Sequence, residues 1–275
     1  MDSRITGALL GMIAGDGYVQ VRERTRGNRT YVCSEMYVRH SSQQRAYCEH
    51  KLALCREFLG TKATLREFKH GPGNKYDGVG FYLTHDYFKM LKGWTYTNGK
   101  KSFNEVWLKH MTPEGVALWY MDDGHARRNY NKKGQVTSVS TNIATCCPEA
   151  EADLICNWFW EEHKIRFKKF REKQYWSITA NTEDSRLFAH LVRPYIIEAM
   201  LYKISHVADL NSHECRTPIA KCVTCEGGIY DNRHGGLCSS CYSRRYRERT
   251  KKSLGDDIVR PARKRAEVVD KEPPR

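Results

Sequence analysis

Two apolar runs of one design, 107 residues apart, constrain this chain more than any other feature. They are Leu9-Leu10-Gly11-Met12-Ile13-Ala14-Gly15-Asp16-Gly17 and Val116-Ala117-Leu118-Trp119-Tyr120-Met121-Asp122-Asp123-Gly124. Each reads as a helix that stops at a carboxylate. Ser3 is the expected N-cap of the first helix. Thr112 is the expected cap of the second, with Pro113 in the favoured first position. Gly7, Ala8, Gly11 and Ala14 would let a second backbone come close.

The segments after each run are also alike. Strand-like stretches cover 18–24 and 30–39, a helix 43–59, strands 64–69 and 78–84, and a last helix starts near Asp86. After the second run, strands are expected at 125–130 and 135–142, a helix at 148–163, strands at 166–171 and 175–180, and a helix at 184–200. The pattern is an α+β fold of two αββαββα halves, 1–104 and 105–211, with pseudo-two-fold symmetry. A chain doubled in this way suits a long, roughly palindromic target, as a homodimer would.

Two such helices packed side by side bring Asp16 and Asp123 to one end. Like charges there repel, and a divalent cation relieves the repulsion. Carboxylates, with the backbone carbonyls of Gly15 and Asp122, are hard oxygen ligands that favour Mg²⁺. Cations held in this way activate water and stabilise the leaving oxygen in phosphodiester hydrolysis. A single Asp-Gly is more simply a helix-stop turn. Two copies in matching contexts favour the functional reading.

Charge points to the partner. The chain carries 46 Lys and Arg against 32 Asp and Glu, a net +14. That excess favours a polyanion, most often nucleic acid. Half of the surplus lies in the last 60 residues, from Arg216, which hold 15 basic and 8 acidic residues. No apolar run is long enough to span a membrane. The start, Met1-Asp2-Ser3-Arg4, lacks a signal-peptide layout. A protein that is not secreted, in a reducing compartment with access to DNA, is expected.

From about residue 212 the composition changes. Cys222-x₂-Cys225-x₁₂-Cys238-x₂-Cys241 has the spacing of a closed, structural Zn²⁺ site. Two disulfides would use the same residues, but 11 cysteines and the absence of a secretory start favour the metal. A zinc-binding module over 212–249 is expected, with Arg244 and Arg245 in a basic run that grips phosphates. A basic, disordered tail is expected over 250–275. Cys33, Cys48, Cys55, Cys146, Cys147 and Cys156 read mostly as small core residues.

The two runs resemble the paired motifs of the LAGLIDADG homing endonucleases, in particular the single-chain, intron-encoded type to which the omega-intron endonuclease belongs. The resemblance covers about residues 3–207. Ala14 stands where the motif name has Asp, and Met121 is larger than the usual packing residue. The resemblance implies a saddle whose sheets lie in the DNA major groove, with Asp16 and Asp123 binding metal. It implies Mg²⁺-dependent cleavage of both strands of a long double-stranded DNA target, leaving four-base 3′ overhangs, by a monomer. Lys101 and Lys203 end the two halves where similar enzymes have basic residues near the active-site solvent, and Asn142 falls where they often have Gln.

Within that arrangement, alternating strand residues read the bases. Gln20, Arg22 and Arg24 line one strand with Tyr18, and His125, Arg127 and Asn129 line its counterpart. Arg, Gln and Asn are the side chains that bond purine edges. Lys168, in the basic stretch 166–171, serves bases or phosphates, as do Arg66 and Lys69. Two other readings use the same scaffold: an RNA-binding maturase acting on its own intron RNA, and a non-catalytic DNA-binding regulator. Two intact acids favour the nuclease.

Overall fold

The computed structural model describes residues 2–130 and 136–208, with 220–221, 223–224, 228–229, 242 and 245. The chain divides into two compact units, Met1–Ser212 and His213–Arg275.

The first unit opens with α1 (Ser3–Ala14), β1 (Tyr18–Arg26), β2 (Arg29–Ser41), α2 (Arg45–Leu59), β3 (Arg66–His70), β4 (Tyr76–Thr84) and α3 (Tyr87–Thr95). A small hairpin, β5 (Tyr96–Thr97) and β6 (Lys100–Lys101), and a short helix α4 (Glu105–Lys109) lead to α5 (Pro113–Asp123). There the order repeats: β7 (Gly124–Tyr130), β8 (Val136–Cys147), α6 (Glu149–His163), β9 (Phe167–Glu172), β10 (Tyr175–Ala180), α7 (Thr182–Val192) and α8 (Tyr202–Ala208). Each half holds one antiparallel four-stranded sheet, ordered β1-β2-β4-β3 and β7-β8-β10-β9.

The symmetry axis runs between α1 and α5, which lie in the same direction. Gly7 abuts Thr112 near the start of both helices, and Gly15 abuts Asp122 near their ends. Between these points the backbones touch. A methyl group at Gly11 would overlap the carbonyl of Gly115, and one at Gly115 would overlap the carbonyl of Gly7. Both helices are sheathed by apolar residues: Leu9, Leu10, Met12, Ile13, Val116, Leu118, Trp119 and Tyr120 are all buried. Phe103, from the linker, stacks on Trp107 and leans on Trp119, which ties the halves into one core.

Several sequence expectations need correction. Asp2, not Ser3, caps α1, its carboxylate accepting from the Arg4 N–H. Thr112 and Pro113 cap α5 as expected, through the Gly115 N–H. The helix expected over 184–200 starts at Thr182, capped by Asn181, and ends at Val192. Pro194, which has no N–H to give, lies in a 3₁₀ turn just beyond it. β8 runs on to Cys147 because a bulge keeps it paired: Ile178 faces Ile143, whereas Trp176 faces Cys147. Cys146 in that bulge takes a left-handed φ of 47° and is exposed, while Cys33, Cys48, Cys55 and Cys147 are buried.

In the second unit β11 (Ala220–Lys221) pairs antiparallel with β12 (Gly228–Ile229). Cys222, Cys225, Cys238, Cys241 and Arg244 lie outside the described residues, as does the tail. Arg245 is helical and exposed. Among the described residues no helix is long and apolar enough to cross a membrane.

Candidate active site and nucleic-acid interface

The ends of α1 and α5 carry Asp16 and Asp123 beside the symmetry axis. The Asp16 side chain is 47% exposed and so can meet a ligand. Burial pushes its carboxyl up, but His40, Lys51 and Lys101 outweigh burial and hold it below the usual range. His40 contributes most, with Nδ1 lying 3.3 Å from Asp16 Oδ2. Asp123 behaves in the opposite way. Burial first, then the charges of Asp122 and Asp16, push its carboxyl up to about 7, against the pull of Lys101 and Lys203.

The two lysines occupy matching places. Lys101 Nζ donates to the carbonyl of Gly15 at 2.7 Å, and Lys203 Nζ donates to the carbonyl of Asp122 at 2.9 Å. Each lysine therefore grips the residue just before an acid. The carbonyls expected as metal ligands accept lysine ammonium groups here. Burial lowers the pKa of both lysines, opposed by the nearby carboxylates. The tight turn of β5 and β6 brings Lys101, rather than Lys100, to the site.

Sequence reasoning missed a buried network on one side of the axis. Lys51 Nζ lies 2.7 Å from both carboxylate oxygens of Asp122, and neither side chain is exposed. Asp122 Oδ2 also accepts the backbone N–H of Asp16 at 2.9 Å. His40 lies 3.2 Å from Lys51 Nζ through Nε2, and the Lys51 ammonium sits 4.4 Å over the Tyr47 ring. Asp16, His40 and Asp122 bring their donor atoms within 4.8 Å of one another. The Asp122 carboxylate in that group is already matched by Lys51. The signal was present in α2, where Lys51 falls on the apolar stripe of Tyr47, Cys48, Leu52 and Cys55.

The sheet faces turned away from the helices carry the expected readers. On the first sheet, Tyr18, Tyr37 and Tyr82 form a row across three strands, with ring centroids 5.7 Å apart in each step. The Arg66 guanidinium lies 4.7 Å over Tyr82. Gln20 faces Glu35, and Glu35 binds both Arg22 and Arg24. On the second sheet, His125, Asn142, Thr179 and Lys168 form one row across all four strands. Asn142 and His125 are 3.2 Å apart, and Asn129 donates to Ser138 Oγ at 3.0 Å. Arg127 is exposed opposite Ser140.

Two neighbours of these readers face elsewhere. Arg166 precedes β9 and lies over Trp160 of α6, and Lys169 pairs with Glu149 and Asp153 of α6. Strand alternation turns Lys169 away from Lys168, and Arg166 lies before the strand begins.

Two parallel helices meeting through glycines, with an acid at each end and a lysine beside each acid, define a class. A profile of the LAGLIDADG DNA endonuclease family matches residues 6–188, and the chain belongs to that family. Relatives include a probable intron-encoded endonuclease 1 of Wickerhamomyces canadensis, 27% identical over 213 residues, covering 71% of this chain and 81% of that protein. The cytochrome b mRNA maturase bI2 of Saccharomyces cerevisiae is 24% identical over 216 residues, covering 75% of this chain and 48% of the maturase. The RecA protein of Mycobacterium gastri is 25% identical over 204 residues, covering 71% and 46%. The chain thus spans about half the length of these last two. Among solved structures, the homing endonuclease I-WcaI bound to its DNA recognition sequence superposes with a TM-score of 0.59. It is 26% identical, with 74% of this chain and 86% of that one covered.

Proposed function

We propose that this chain is a site-specific homing endonuclease that hydrolyses both strands of a long double-stranded DNA target with Mg²⁺ and leaves four-base 3′ overhangs. One observation carries the reading: Asp16 and Asp123 end adjacent helices, each preceded by a carbonyl that a lysine grips. The relative of known structure, I-WcaI, was seen on its recognition sequence, which supports duplex DNA as the partner.

The donor set fits a divalent cation. Asp123 is pushed up to about 7 by burial and by the neighbouring Asp122 and Asp16, so its ionised form lacks sufficient positive charge nearby. Asp16 and Asp123 would hold the cation, with the carbonyls of Gly15 and Asp122 in reach once the lysines move. When bound, Mg²⁺ offsets the carboxylate charges and favours the ionised form of its water. Lys101 and Lys203 place positive charge beside the acids, where a phosphoryl oxygen gains charge during hydrolysis. Asp122 fixes the main chain of Asp16, and His40 Nδ1 lies 3.3 Å from its carboxylate.

In the second unit, Cys222, Cys225, Cys238 and Cys241 hold one structural Zn²⁺, and the module adds DNA affinity through Arg244 and Arg245. Elemental analysis of the reduced protein checks this at one zinc per chain. A monomer in a reducing compartment with access to DNA completes the reading.

Incubating the protein with a randomised duplex library and Mg²⁺, then sequencing the ends, tests the activity. Cut ends must share one long sequence and vanish in Asp16→Asn and Asp123→Asn. A second reading has a specific support, the likeness to the yeast maturase. Tighter binding to a structured intron RNA than to any selected duplex would favour it. Duplex binding that never leads to cutting would favour a regulator.

A further inference from the structure

The first sheet holds a carboxylate where a DNA-facing surface has least use for one. Glu35 lies in the middle of β2, on the face shared with Gln20 and Tyr37, and is 1% exposed. Both of its oxygens are occupied. Arg24 Nη2 donates to Oε1 at 2.5 Å, Arg22 Nη2 lies 2.7 Å from Oε2, and the Tyr37 hydroxyl donates to Oε2 at 2.9 Å. Arg22 also donates to the Tyr37 hydroxyl at 3.0 Å. The three donors pull the Glu35 carboxyl below its ordinary value against the upward push of burial.

Each arginine side chain remains about 40% exposed while tied to Glu35, so neither is closed off from a ligand. A free arginine on a strand loses considerable rotamer freedom when it engages a base. An arginine already held has lost that freedom before the DNA arrives. Two guanidinium charges against one carboxylate leave the cluster positive, so a polyanion is still attracted.

The second half is built differently at the matching place. Gln20 and Arg127 each lie four residues after their acid, and the residue facing Gln20 is Glu35, whereas the residue facing Arg127 is Ser140. Arg22 is replaced by Asn129, whose amide is held by Ser138. Among the described residues the clamp is therefore confined to one half of the pseudo-symmetric fold.

We propose that Glu35 is a positioning residue for sequence recognition, presetting Arg22 and Arg24 as readers of two guanines in the half-site bound by the first sheet. This inference rests on the proposed recognition of duplex DNA by the sheets. Arginine is the side chain that meets the O6 and N7 edge of guanine bidentately. Two residues along a strand span about 6.8 Å, which is about two base-pair steps at roughly 3.4 Å each. Among the described residues the second sheet, reading with Arg127 and Asn129, has no such pair, so the preferred target departs from a palindrome there.

The test is a cleavage profile in which every target position is varied in turn, for the wild type, Glu35→Gln and Glu35→Asp. The wild type should demand guanine at two positions about two steps apart in one half-site. Glu35→Gln should relax both by about tenfold, the scale of one bidentate contact, with the other half-site unmoved and Glu35→Asp between the two. If Glu35→Gln does not fold, Arg22→Lys, which keeps the ion pair but not the fork, should relax one of the same positions. An unchanged profile in that half-site, or equal relaxation in both halves, overturns the inference. A wild type that selects no duplex sequence overturns the proposed activity itself, which is a distinct result.

Discussion

Lys51 places its ammonium 2.7 Å from each carboxylate oxygen of Asp122, and both side chains are withdrawn from solvent. The pair crosses from α2 of the first half to α5 of the second, next to the acid Asp123. The seventh residue of the matching helix α6 is Ile155, which is equally buried. The candidate active-site end of the fold is thus asymmetric in its buried layer.

Removing one member of such a pair leaves the other charge buried alone, at a cost of about 3–5 kcal/mol. Lys51→Met should lower stability by that order, and Asp122→Asn by a similar order. Lys51→Met combined with Asp122→Asn should recover a large part of the loss, since no unmatched charge remains. Denaturant melts of the four proteins give the coupling directly. Additive losses would show that the contact carries little energy.

Asp123 supplies a pH prediction for the metal-free protein. Its folded pKa, about 7, exceeds the ordinary 3.8. Between those values the folded state binds more protons than the unfolded one, so this residue makes stability fall as pH rises from about 4 to about 7. Asp123→Asn should therefore raise Tm above pH 7, with the gain fading towards pH 4. Added Mg²⁺ should raise Tm of the wild type and have much less effect on the variant. A variant less stable than wild type at pH 8 without metal would contradict the strain assigned to this carboxyl.

The glycine contact offers a third. Gly115 has no room for a side chain, because a methyl group there would overlap the Gly7 carbonyl. Helix propensity alone makes alanine better than glycine by about 1 kcal/mol. Gly115→Ala should nonetheless destabilise by about 1–3 kcal/mol, as overpacking does, and should impair cleavage because both acids ride on these helices. A Tm equal to or above wild type would mean the helices part without cost.

These residues also show what the sequence made legible. The repeat of an apolar helix ending in Asp-Gly announced α1, α5 and the meeting of their ends, because helix periodicity and turn chemistry are local. Thr112 and Pro113 were legible for the same reason. The Lys51–Asp122 pair spans 71 positions, and Lys51 looks like any helix lysine until its stripe is counted. The role of Glu35 is not legible in the sequence, because alternation gives a residue's face and not its partner on the next strand. The short hairpin that presents Lys101 has only two residues per strand, too few for any period to show.

Lys101 and Lys203 should affect the two DNA strands unequally. Each donates to the carbonyl that precedes one acid, Gly15 or Asp122, and each is drawn to the carboxylates while burial disfavours its charge. If each supports hydrolysis near its own acid, losing one should slow one strand more than the other. Lys101→Met and Lys203→Met should then convert a supercoiled plasmid carrying the target into a nicked circle that accumulates before linear product forms. The slowed strand should differ between the two variants, with a loss of about 10²–10³-fold, the scale of removing one donor to a developing charge. Target binding should stay within a fewfold of wild type, because neither lysine belongs to a four-stranded sheet. Strand-resolved gels of end-labelled duplex identify which strand lags. Equal slowing of both strands by either variant would show that the lysines act on a shared centre and not on separate halves.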